Sequence, residues 1–208
     1  MKRNLFIAFE GIDGSGKSTQ VKLLSENLEK AGHKIYTTFE PTDSEIGTLL
    51  RNILTHKIEA DEKTIAALFL ADRLNHIQNK KDGIFKKLEE GYTVITDRYY
   101  FSSYAYHGTH MNMDWVIQSN SLAADLLRPD INIYIDVNPE VSMERISKNR
   151  TSNDLYETLE NLKNVRDKYM EAFETLKGQE HVFIIDGNRS SEIIAAGIWD
   201  EVSQFMIG

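Results

Sequence analysis

Cysteine is absent from the 208 residues. That excludes a disulfide framework and a thiolate metal site, and it fits a cytoplasmic protein. Proline is scarce: Pro41, Pro129 and Pro139 each stand beside an expected element boundary. No Pro/Gly-rich linker, internal repeat or low-complexity tract divides the chain, so one domain over 1–208 is expected. No apolar run approaches the ~20 residues needed to span a bilayer. The start "MKRNLFIAFEG" mimics a signal peptide, but its apolar run stops at Glu10, short of the roughly 7–15 residues of such a core. No membrane partner is expected. Positive charge is also in deficit, with 24 Lys and Arg against 32 Asp and Glu for a net charge of −8. A nucleic-acid polymer is therefore a poor main partner. A nucleotide monomer needs only a few local cations and stays open.

What the chain does have is alternation. Apolar runs with buried-strand character cover 5–9, 35–39, 92–96, 131–137 and 182–185. Helical patterns lie between them at 17–31, 44–56, 62–90 with a break near Gly83, 114–127, 139–147, 157–177 and 190–206. Alternating strands and helices predict an α/β fold with a five-stranded parallel sheet and helices on both faces. In such sheets ligands sit beyond the carboxyl ends of the strands.

The first strand runs straight into "GIDGSGKST". Gly11 to Ser18 fits G-x-x-x-x-G-K-[ST], the P-loop pattern. Its glycines let backbone N–H groups converge on an anion at a helix N-terminus. Lys17 reaches the terminal phosphates, and the Ser18 hydroxyl can ligate Mg²⁺. A ligand-free glycine turn would have little need of that lysine and hydroxyl. Gly11, Ile12, Asp13, Gly14, Ser15, Gly16, Lys17, Ser18 and Thr19 are thus the expected triphosphate contacts. "NKKD" (79–82) mimics a guanine-reading motif, but it follows a helical pattern where that motif should end a strand.

The second strand ends in Glu40 and Pro41, with Ser44 placed to cap the next helix. Glu40 can face a metal or the phosphates, or it can be a capping or solvated residue. The third strand ends "VITDRYYFSSYAYHG", where Asp97 and Arg98 form either a surface salt bridge or a catalytic pair. Their place at a parallel strand's carboxyl end favours catalysis. Asp97 would serve Mg²⁺ or the acceptor, and Arg98 would fork onto an acceptor phosphate.

In this order "FEGIDGSGKST", "FEP", "LFLADR" and "DRYYFSSYAYHG" resemble the thymidylate kinase family, of the bacterial type, to about Tyr169. The resemblance implies a P-loop three-layer αβα sandwich that moves the γ-phosphoryl of ATP to dTMP with Mg²⁺, as a homodimer. It implies that Asp13 lies near the dTMP 3′-hydroxyl, Phe69 stacks on thymine and Arg73 faces the base. Arg51 and Arg98 then hold the acceptor phosphate. Glu40, Pro41, Ser103, Tyr106 and His107 complete the substrate side, with Ser18, Glu40 and Asp97 on the metal. Lys17, Asp97, Arg98, Arg145 and Arg150 form the catalytic set, Arg150 from a short lid at about 146–157 and Arg145 from just before it.

Phe39, His107 and the lid's second half depart from the family pattern. Phe39 stands where arginine is common before "EP". His107 replaces a glutamine, and a neutral imidazole cannot present an amide's paired donor and acceptor; on its own His107 also reads as a solvated loop residue. The lid's second half has Asp154 and Leu155 where an arginine is common. Rival readings are a kinase of another (deoxy)nucleoside monophosphate and a non-catalytic P-loop regulator.

Overall fold

The first apolar run is a strand whose two faces are both covered. Leu5, Ile7 and Phe9 join one buried cluster while Phe6 and Ala8 join the opposite one, as the period of two requires. The computed structural model describes residues 4–149, 155–156 and 158–206. In chain order its elements are β1 (Phe6–Glu10), α1 (Lys17–Lys30), β2 (Lys34–Phe39), α2 (Glu45–Leu54), α3 (Glu62–Gln78), α4 (Ile84–Glu89) and β3 (Tyr92–Asp97). Then come α5 (Tyr100–Gly108), α6 (Met113–Leu126), β4 (Ile131–Asp136), α7 (Pro139–Asn149), α8 (Leu159–Thr175), β5 (Val182–Asp186) and α9 (Ser191–Phe205).

The strands form one parallel sheet in the order β2-β3-β1-β4-β5. One face is covered by α1 and α9 through Val21, Leu24, Leu28, Ile194, Ile198 and Val202. The other is covered by α5, α6 and α8 through Tyr104, Ala123, Leu162, Val165 and Tyr169. The result is the expected three-layer α/β sandwich. Central β1 lies between β3 and β4, so the strand order reverses there and opens a crevice at the carboxyl ends. Glu10 and Asp97 sit on that rim.

Ser44 caps α2 as expected, its hydroxyl accepting the Gly47 N–H at 3.1 Å. Residues 79–83 link α3 to α4, so "NKKD" does not end a strand. The expected strands and helices are present, with one addition. Helix α5 was not anticipated, and its residues are buried from Tyr100 to Gly108. A helix covered on all sides has no polar face to mark its period.

Candidate active site

Between β1 and α1 the chain turns on glycines. Gly14 has φ +74°, and a Cβ there would lie 2.7 Å from the Ser142 carbonyl of α7. Gly16, at φ +96°, precedes α1 with no side chain capping the helix. The first-turn N–H groups are left facing a cleft of about 850 Å³. Lys17 Nζ folds across the loop onto the carbonyls of Gly11 (3.0 Å) and Ile12 (3.1 Å). Burial, reinforced by Arg98, pulls its pKa down to about 8. Ser18 Oγ donates to Asp97 Oδ2 at 2.8 Å. One hydroxyl and one carboxylate are a hard-oxygen set that suits Mg²⁺ shared with phosphate and water. Among the described residues no cluster of three or more His, Cys, Asp or Glu could hold a metal unaided.

At the end of β3, Arg98 adopts φ +75°. Its guanidinium meets Asp13 Oδ1 at 2.5 Å, Ser102 Oγ at 3.0 Å and the Gly11 carbonyl at 3.3 Å. Tyr106 donates to the other Asp13 oxygen at 2.7 Å. Burial raises the Asp13 pKa, but Arg98 and Lys17 outweigh it and hold the carboxyl at about 2. The P-loop and α5 are thus joined by a charged strut.

Across that strut lies a second cavity of about 270 Å³, bordered by Pro41, Arg51, Phe69, Ser103, Tyr106 and His107. Arg73 forms its buried base. Nε and Nη2 reach Glu40 Oε2 at 2.9 and 2.7 Å; Nη1 reaches Ser103 Oγ and Asn120 Oδ1; Nη2 also reaches the Tyr99 carbonyl. His76 Nδ1 lies 3.0 Å from Glu40 Oε1. Phe69 packs against the His107 ring with centroids 5.3 Å apart. Arg51 sits at the rim on the Pro41 and Thr42 carbonyls. Tyr156 closes the far side, its hydroxyl on Glu62 Oε2 at 2.7 Å.

Most sequence-predicted site residues therefore line these two cavities, and two assignments change. Glu40 is not a metal ligand, because Arg73 and His76 occupy both of its oxygens. Arg73 has no free N–H for a base edge, because every one is engaged by the protein; it supports the cavity instead. His107 is not a solvated loop residue. It is buried in α5, and burial and then Arg73 depress its pKa to about 3, so it stays neutral. Arg145 borders the large cleft, its guanidinium 3.2 Å from the Gly187 carbonyl and 3.5 Å from those of Gly14 and Ser15. Arg150, Asp154 and half of the expected lid lie outside the described residues.

Sequence reasoning missed Glu10, Asp72, His76, Ser102, Asn120, Tyr156 and Tyr169. Glu10 carried a usable signal, since it ends a strand as Asp97 does. Asp72, which binds Thr42 and Ser44 from α3, carried none.

An anion loop opening onto a second cavity sets a phosphoryl donor beside an acceptor, and this chain is a phosphotransferase of the P-loop class. More narrowly, it belongs to the thymidylate kinase family: the family model described as "Thymidylate kinase" matches residues 9–198, beyond the expected limit near Tyr169. A probable thymidylate kinase of Pyrococcus horikoshii is 41% identical, over 83% of this chain and 84% of its own. The thymidylate kinase of Shouchella clausii is 35% identical, over 100% of this chain and 98% of its own. A probable thymidylate kinase of Methanocaldococcus jannaschii is 37% identical, over 92% and 91%.

Proposed function

We infer that this protein transfers the γ-phosphoryl group of ATP to dTMP, giving dTDP for dTTP synthesis. The observation that carries the reading is the shared wall: Asp13, Glu40 and Arg98 border both cavities. The large cleft takes ATP on the P-loop. The smaller one takes dTMP, its base beside Phe69 and His107 and its phosphate toward Arg98 and Arg51. An acceptor oxygen then attacks the γ-phosphorus as the bond to ADP breaks, a reaction that needs alignment and charge compensation. Lys17 and Arg98 supply fixed cations. Ser18 and Asp97 would hold Mg²⁺, which when bound would supply charge compensation to the phosphates. Arg145 braces the nucleotide cleft from α7, and Arg150 acts from a lid at about 146–157 within one kinase domain spanning 1–208. The working form is a cytoplasmic homodimer.

The test is ADP release across dTMP, dUMP, dCMP, dGMP and AMP. One methyl group is worth about 1–3 kcal/mol in an apolar pocket, so dUMP should be weaker than dTMP without being excluded. Comparable kcat/KM for AMP and dTMP would overturn the assignment.

A further inference from the structure

One carboxylate beside the site takes no part in the transfer. Glu10 closes β1 and is fully buried. Its Oε1 accepts the Tyr99 N–H at 3.0 Å; its Oε2 accepts the hydroxyls of Ser102 at 2.6 Å and Tyr169 at 3.0 Å. Ser102 Oγ is also the acceptor for Arg98 Nη1. Glu10 therefore grips Arg98 from two sides, through the backbone just after it and through the hydroxyl on which its fork rests. The position needs such a grip. A left-handed φ of +75° is disfavoured for a residue with a Cβ and persists only where the surroundings fix it.

We propose that Glu10 is the positioning residue for Arg98, holding the guanidinium at the junction of the two cavities and so governing acceptor binding and alignment. The inference rests on the reading of Arg98 as the acceptor-phosphate fork. Burial pushes the Glu10 carboxyl up to about 7, against the pull of Ser102, Arg98, Tyr169 and the Tyr99 N–H. The charged and titratable groups facing it are Arg98 from the β3–α5 turn, Lys17 from α1, Arg73 from α3, Tyr104 from α5, Tyr134 from β4 and Tyr169 from α8. The three tyrosines are pushed above their ordinary range and stay neutral. Just below neutrality Glu10 is thus the member that changes charge. Once protonated, Oε2 donates to one hydroxyl where it had accepted from both, and the support beneath Arg98 rearranges.

The experiment compares Glu10→Gln and Ser102→Ala with the parent, using dTMP and ATP across pH. Glu10→Gln should lower kcat/KM for dTMP by about tenfold or more at pH 8 while KM for ATP moves less than about threefold. An inflection near pH 7, distinct from that of the acceptor phosphate near 6, should vanish in this variant. Its Tm at pH 8 should not fall, because a carboxyl whose folded pKa is raised opposes folding once ionised. Ser102→Ala keeps the buried carboxylate but removes the hydroxyl that links it to Arg98, and it should also lose dTMP efficiency; it decides the matter if Glu10→Gln does not fold. A folded Glu10→Gln with parental dTMP kinetics and pH profile overturns the proposal, as do parental kinetics in Ser102→Ala. A parent inactive on dTMP overturns the functional reading instead.

Discussion

Lys17 is the residue on which the donor side turns. Its ammonium is buried against two loop carbonyls, and burial already disfavours its charge. Removing it relieves a desolvated cation, so Lys17→Ala should keep Tm within a few degrees of the parent. Turnover should fall by about 10²–10³ or more, the usual effect of losing one preorganised charge-stabilising donor. A folded variant with near-parental kcat would remove the kinase reading. Lys17 was legible in the sequence because local spacing fixes its role. Glu40 and Arg73 were legible as residues but not as partners. Their bond joins positions 33 apart in sequence, and neither carries a sign of whether it will meet substrate or protein.

Among the elements, α7 has the role most open to experiment. Arg145 on α7 reaches carbonyls of the P-loop and of the turn after β5, which makes it a brace for the nucleotide cleft. Arg145→Ala should therefore weaken ATP binding by about tenfold, roughly 1.4 kcal/mol. Arg150, assigned from the sequence alone, should act on the rate. A lid arginine that meets charge chiefly in the transition state can be worth about 10³–10⁵ in kcat, with little change in ATP Kd. If the double alanine variant keeps kcat within a few-fold of the parent, the lid cations are not catalytic. The elements also show where sequence reading stops. Strands β1, β3 and β4 announce themselves as short apolar runs because both faces are covered. Helix α5 is covered just as fully, but its "YYFSSYAYHG" stretch shows neither a polar stripe nor a strand's brevity. Packing between α6 and α8 makes it a helix, and that packing is long-range.

For the whole molecule, the open question is its assembly. Trp115 and Leu122 lie seven residues apart on α6, on one face, and are 47% and 56% exposed. An aromatic and a leucine exposed two turns apart make this face the one to test for the proposed homodimer. If the proposed homodimer forms through this face, replacing both with aspartate should give a monomer in sedimentation equilibrium while leaving the helical circular dichroism signal in place. A parent that sediments as a monomer at micromolar concentration would sink the dimer. The wall between the two cavities has a thermodynamic consequence. Asp13, Glu40 and Arg98 belong to both sites, so a molecule settling in one alters the surface offered to the other. Linkage makes that influence reciprocal: the free energy by which ATP changes acceptor binding equals the free energy by which acceptor changes ATP binding. The same strut that separates donor from acceptor therefore makes each report the presence of the other.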